Sequence, residues 1–144
     1  MFLGEFQHTI DSKGRVSIPA KFRQFLKEGA VVTRGIGDHC LFIYSKDEFE
    51  KLAQKIASLP IGKADSRALA RQVLAGAANI EIDKLGRALI PDYLRQYAKI
   101  KKTVVLAGLF NRIEIWDSEE WELYKRNTEK GSEEIAEKLG ELGI

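Results

Sequence analysis

Ile10-Asp11-Ser12-Lys13-Gly14-Arg15-Val16-Ser17-Ile18-Pro19 returns 72 residues later as Ile82-Asp83-Lys84-Leu85-Gly86-Arg87-Ala88-Leu89-Ile90-Pro91, an interval that is half of the 144-residue chain. The same offset, without a gap, sets Arg23-Gln24 over Arg95-Gln96, Val32 over Val104, Ile43 over Ile115, Tyr44 over Trp116 and Phe49 over Trp121. One structural unit is therefore expected twice. Phe6, His8 and Ile10 alternate with polar residues, and the alternation resumes at Arg15-Val16-Ser17-Ile18, which predicts strand, turn and strand as a hairpin with Gly14 in a left-handed conformation.

Working outward, Pro19 suits the first turn of a helix whose apolar face is Phe22, Phe25 and Leu26 and which Gly29 ends. Strands are predicted over 30–33 and 40–44 around Gly35-Ile36-Gly37. Ser45 with Glu48 three residues on is a capping signal for a helix over 46–58, and Asp117 with Glu120 repeats it in the second half. There, strands are predicted over 78–82, 87–90, 103–107 and 112–116, with a helix from Pro91. Ser66 to Gly76 reads as a connector helix. Trp121, Leu123, Tyr124, Ile135 and Leu139 predict a packed C-terminal helix.

These elements divide the chain into a first repeat over 5–47, connecting helices over 48–75, a second repeat over 76–119 and a C-terminal helix and tail over 120–144. Domains below ~40 residues rarely bury enough apolar surface alone. Units of this size should build a single interior together. The expected fold is α+β with a mainly β core, a pseudo-twofold β-barrel in which the two halves interlock and helices pack outside.

Composition excludes several function classes. The chain is 44% hydrophobic and 31% charged, as ordinary globular chains are, and no apolar run reaches the ~18 residues of a membrane span. Met1 to Glu5 lacks the pattern of a signal peptide, so a cytoplasmic location is expected. Cys40 is the only cysteine, and with His8 and His39 alone beside it no tetrahedral metal set is expected. Residues 1 to 72 hold 12 Lys and Arg against 8 Asp and Glu, whereas 73 to 144 hold 11 against 13. The first half is thus basic, with Lys13, Arg15, Lys21, Arg23 and Lys27 clustered early, and the C-terminal part is acidic.

Asp-x-x-Gly-Arg has a local reason: the Asp side chain accepts turn N–H groups, Gly takes positive φ, and the arginine projects from the strand start. Its recurrence, with Ile before it, Ile-Pro after it and Arg-Gln beyond, is far more specific. The duplicated Asp-x-x-x-Arg motif in a strand-turn-strand-Pro-helix unit resembles the SpoVT-AbrB family. Its tandem arrangement, together with Met1-Phe2-Leu3-Gly4-Glu5-Phe6, the run from Asp11 to Ala20 and the Ile43-Tyr44 strand, is similar to the MraZ family over nearly the whole chain. The resemblance implies swapped-hairpin repeats and a nucleoid-associated transcriptional regulator. Such a regulator binds direct repeats in the double-stranded promoter DNA of the cell-division and cell-wall gene cluster that holds its own gene. It also implies closed rings of identical subunits, with no cofactor and no small-molecule substrate. Carried over to this chain, Arg15 is the DNA-contacting arginine, with Lys13, Lys21 and Arg23 completing the expected DNA-binding set. Asp11, Gly14, Asp83, Gly86 and Arg87 are expected to serve the motif structurally; because Leu85 replaces Lys13 and Tyr93 replaces Lys21, the second copy is expected chiefly to complete the fold and the subunit interface, with Arg87 structural or a weaker DNA contact.

Two rivals come from other classes. An enzyme would rest on Cys40 beside His39, but neighbours on a strand point to opposite faces and cannot share a pocket. An antitoxin-like or scaffold module of the same superfold, without promoter specificity, would use the acidic C-terminal segment as its partner-binding part.

Overall fold

In a computed structural model that describes all of residues 1–144, the turn at Asp11–Arg15 does not fold β1 (Phe2–Thr9) back onto β2 (Arg15–Ser17). Both strands pair instead with the other half of the chain: β1 with β7 (Thr103–Phe110), and β2 with β6 (Arg87–Leu89). The hairpin expected at this turn is thereby replaced by two inter-half ladders. Apolar side chains on one face of each strand decide the matter, because a strand of three residues has too few bonds to stand alone and must lay Val16 against Ala88 to bury either.

The remaining strands are β3 (Ala30–Arg34), β4 (Leu41–Ser45), β5 (Ala78–Ile80) and β8 (Ile113–Asp117). An antiparallel six-stranded sheet runs β1-β7-β8-β4-β3-β5, and β2 and β6 form a separate two-stranded ribbon. This is an open sheet with a ribbon, not the closed barrel expected. Closure fails because β1 and β5 remain edges, linked to the ribbon by no ladder beyond a lone bridge from Ile82 to Ala88.

A pseudo-twofold axis relates the halves. It passes between Val16 and Ala88 in the ribbon and between Phe42 and Glu114 at the centre of the sheet, positions that are 72 residues apart in each case. The gapless alignment breaks down at one strand, however. Val31 pairs with Tyr44 and Asn79, while Val105 pairs with Trp116 and Gln7, so β3 matches β7 at an offset of 74. Val32 is therefore equivalent to Leu106 rather than Val104. Two extra residues before β7 are compensated by two extra residues in the 35–40 turn.

Pro19 and Pro91 precede α1 (Ala20–Arg23) and α4 (Asp92–Tyr97), and the sheet's opposite face carries α2 (Lys46–Ala57), α3 (Ala64–Ala70) and α5 (Ser118–Lys130). Capping behaves as read: Ser45 accepts from Glu48 N at 3.3 Å, and Asp117 accepts from Glu119 N and Glu120 N. The connector is α3 running into a π-helical turn at Arg71–Ala75, where Thr33 Oγ1 donates to Val73 O at 2.6 Å. Trp121 and Tyr124 pack on Trp116, but α6 (Ser132–Leu139) buries nothing, and Leu123, Ile135 and Leu139 stay exposed. The packed helix expected at the C-terminus therefore stops with α5.

Nineteen buried residues form one core between sheet and ribbon. Ten come from the first half, including Val16, Ile18, Phe22 and Leu41, and nine from the second, including Ala88, Ile90, Leu94 and Ile113. Full burial of each large side chain contributes about 1.5–3 kcal/mol, so either half alone would leave most of this stabilisation unrealised. A smaller cluster of Cys40, Phe42, Tyr44 and Trp116 lies on the other face under α2 and α5.

The two turns are near copies. Asp11 Oδ1 accepts from Lys13 N at 3.0 Å and Arg15 N at 2.9 Å, and Asp83 Oδ1 accepts from Leu85 N and Arg87 N at 2.9 Å each. Gly14 and Gly86 take φ of +90° and +78°. The ladder is then closed at both ends, Ile90 N donating to Gly14 O at 2.8 Å and Ile18 N to Gly86 O at 2.9 Å. The Arg15 backbone N–H above all, with the Arg15 side chain and the Lys13 N–H, holds the Asp11 carboxyl down at about 2. Asp83 is lowered for the same reasons, with the Arg87 N–H first.

Two outcomes are expected. Gly108 in β7 sits opposite Gly4 in β1, and a Cβ on it would come within 2.6 Å of Leu3 N and 2.7 Å of Phe2 C. Gly108→Ala should cost about 1–3 kcal/mol in thermal or denaturant unfolding. Gly131→Ala, where a Cβ meets nothing within 4 Å, should stay within about 0.5 kcal/mol. The second concerns acid. A carboxyl whose folded pKa lies below its unfolded value stabilises the fold above the unfolded value and loses that contribution as pH falls through the folded one. With Asp11 at about 2 against an ordinary 3.8, its contribution should fade between pH 4 and 2. Melting temperatures measured across that window should fall less steeply for Asp11→Asn than for the unsubstituted chain; equal slopes would contradict the assignment.

Candidate nucleic-acid interface

On a two-stranded ribbon every second side chain faces the same way. Val16 and Ala88 are fully buried beneath it, so Arg15, Ser17, Arg87 and Leu89 form its outer face, Arg15 opposite Leu89 and Ser17 opposite Arg87. A turn lies at each end. The Asp11–Gly14 turn, with exposed Lys13, adjoins Arg15 and Leu89; the Asp83–Gly86 turn, with exposed Lys84 and Leu85, adjoins Arg87 and Ser17.

Each arginine is tethered by one edge. Arg15 Nε donates to Asp11 Oδ2 at 2.7 Å and Arg87 Nε to Asp83 Oδ2 at 3.0 Å. Neither has any further protein partner, which leaves the two Nη groups of each guanidinium unbonded. Charge-assisted bonds of this kind fix side-chain direction at little loss of outward donor capacity. What remains is a pair of oriented, planar, doubly donating groups on one surface, suited to bidentate acceptors such as a guanine edge or a phosphate.

The other predicted residues stand behind this face. Lys21 is exposed with Nζ 4.8 Å above the Phe6 ring. Arg23 is half-buried, without a carboxylate partner, and lies across the second-half turn, its Cζ 2.7 Å from where a Cβ on Gly86 would sit. Arg95, its repeat equivalent, covers Gly14 with the same 2.7 Å separation and donates to Ile90 O at 3.0 Å. Each half thus lays an arginine over the other half's glycine, and this rather than the turn alone explains why no Cβ fits at either position.

Reading the motif as a basic first copy and a depleted second one overlooked Lys84, which stands where the first copy has Ser12. Each ribbon end therefore presents one lysine and one arginine. The signal was in the aligned columns: the second copy loses Lys13 and Lys21 but gains Lys84.

Elsewhere the chemistry is structural. Cys40 is buried, with its thiol pushed up by desolvation, while His39 is exposed and contacts Tyr97 O at 3.2 Å, so the two do not meet. Glu114, buried on the pseudo-twofold axis, accepts from Arg112 Nε and Trp116 Nε1, each at 3.0 Å. No three His, Cys, Asp or Glu side chains are grouped as a metal set, and no helix is long and apolar enough to cross a membrane.

Comparison with known proteins now adds an independent line. The family model described as "MraZ protein, putative antitoxin-like" matches the chain twice, over residues 1–72 and 73–141. Proteins named Transcriptional regulator MraZ are similar to it over the full length of both chains: 51% identical in Caldanaerobacter subterraneus subsp. tengcongensis, 52% in Thermoanaerobacter pseudethanolicus and 47% in Natranaerobius thermophilus. With two tandem family matches that meet at the repeat boundary, and relatives near half identity from end to end, this chain belongs to the MraZ family.

Proposed function

We propose that the chain is a sequence-specific, double-stranded DNA-binding transcriptional regulator acting from the cytoplasm on the nucleoid. Its expected target is the promoter of the cell-division and cell-wall cluster that includes its own gene. The observation that carries this reading is the matched pair of tethered guanidiniums, Arg15 and Arg87, on one outer ribbon face with Lys13 and Lys84 at its ends. The names of the full-length relatives support it. A two-stranded ribbon is narrow enough for the major groove, about 12 Å wide, where an arginine distinguishes guanine from the other bases.

Within that reading Arg15 and Arg87 read bases, and Lys13 and Lys84 neutralise phosphates and set the register. Lys21 and Arg23 add positive charge on the flank. Arg87 thus takes a DNA role beside its structural one, since its tether and its place on the ribbon match those of Arg15. Direct repeats spaced by about one helical turn, ~10 bp, suit subunits that meet head to tail in a ring and present every ribbon to the same side of the duplex. Exposed Leu3, Phe25 and Phe110, grouped at one end of β1 and β7, offer apolar surface for such a contact. Bending several turns of DNA along a curved ring costs a few kcal/mol, at least about 1 by elastic estimates, so the ring opens or the duplex bends.

A mobility-shift assay on duplex DNA from upstream of the coding sequence, against a scrambled duplex at equal salt, tests the reading. Arg15→Ala should abolish the preference, and Arg87→Ala should reduce it by about 1–3 kcal/mol. An Arg15→Ala chain that still selects its site would refute the assignment. Lys13→Ala should weaken both duplexes alike and make the salt dependence shallower by ~1 in log–log slope; an unaltered slope would remove Lys13 from the phosphates.

A further inference from the structure

Pseudo-twofold symmetry predicts that the two ends of the ribbon look alike, and for the arginines they do. The residues across from them differ. Arg15 faces Leu89, whereas Arg87 faces Ser17, the repeat equivalent of Leu89. Leu89 is 54% exposed on the same outer face as Arg15. Ile90 N donates to Gly14 O and Ile18 N to Gly86 O, and in an antiparallel ladder these bonds alternate. The Arg15–Leu89 pair therefore falls at a non-hydrogen-bonded position, where facing side chains stand closest, with Cα atoms about 4.5 Å apart. An apolar side chain is thus held beside a guanidinium whose Nη groups are unpaired, at a spacing close to the ~3.4 Å rise of one base pair.

We infer that Leu89 is a specificity residue: it packs on the C5-methyl group of a thymine within one base-pair step of the guanine met by Arg15. This rests on the DNA-binding reading above and adds to it the base class and the residue that recognises it. Thymine is the only base that offers a methyl group in the major groove, and apolar side chains are its natural partners there. The serine on the other end cannot make that contact with comparable burial. The ribbon accordingly reads guanine beside thymine at one end and guanine beside no required methyl at the other. That difference gives each bound repeat a direction, although the fold that reads it is nearly twofold. Directional units are what a row of direct repeats requires, since a symmetric reader would accept either orientation of each repeat.

Deoxyuridine, which pairs as thymine does but lacks the methyl group, isolates the contact. Duplex DNA from upstream of the coding sequence is substituted one thymine at a time, and binding is measured by fluorescence anisotropy for the unsubstituted chain, Leu89→Ser and Lys13→Ala. One deoxyuridine position should weaken the unsubstituted chain and Lys13→Ala by about fourfold, the worth of one buried methyl-sized group. The same position should leave Leu89→Ser unaffected. If DNA is bound and no position shows this coupling, or if Leu89→Ser responds to deoxyuridine as the unsubstituted chain does, the inference fails and the DNA reading stands. Leu89→Ser altering subunit number in native mass spectrometry, with DNA affinity and deoxyuridine response unchanged, would overturn it in favour of a contact between copies. No binding by the unsubstituted chain to any of these duplexes would overturn both.

Discussion

Everything in the molecule depends on one ladder, the three-residue pairing of β2 with β6 across the pseudo-twofold axis. It is short, yet it covers Val16 and Ala88 completely and forms the lid over the core. Within its own half neither strand forms a ladder: β6 has only the lone Ile82–Ala88 bridge, and β2 pairs with no strand of the first half. Ribbon, core and candidate interface are thus one cooperative arrangement. Residues that seem to serve only the fold, such as Ile18 and Ile90, also register the two outward arginines against each other.

The aspartates in the two turns join the folding of each turn to the orientation of its arginine. One oxygen of each carboxylate organises the turn by accepting two backbone N–H groups, and the other orients the arginine through Nε. A flexible arginine loses up to about 2 kcal/mol of side-chain entropy when immobilised. Here the tether takes part of that loss during folding, before any partner arrives. Arg23 and Arg95 extend the coupling, each reaching from one half to brace the glycine of the other.

Much of this was legible in the residue pattern. The duplication, the glycine conformations at Gly14 and Gly86, the caps at Ser45 and Asp117 and the sharing of one core all follow from motif chemistry and size. Pairing partners were not legible. Alternation in Arg15-Val16-Ser17-Ile18 marks a strand and its buried face, but nothing local states which other strand completes the ladder, so a hairpin was expected where the halves exchange strands. The open sheet was missed for a related reason: closure depends on long-range register at β5, a strand of only three residues. The shift of β3 against β7 escaped because insertions of equal length before and after the strand cancel in a gapless comparison. At the candidate interface the motif singles out Arg15 and Lys13 and the aligned columns carry Lys84 in the place of Ser12, whereas the position of Arg23 over Gly86 required knowing that each turn abuts the opposite half.

Carrying both partners of the ribbon on one polypeptide has a further consequence. Two separate chains forming the same ladder would come apart on dilution, since association costs at least about 4–15 kcal/mol of translational and rotational freedom. Joining Val16 to Ala88 through an intervening stretch instead costs a loop-closure entropy that grows only logarithmically, about 4 kcal/mol for a span of this length. The folded unit is therefore independent of its own concentration. A cell holding few copies retains the intact two-armed ribbon, because its assembly is not subject to mass action.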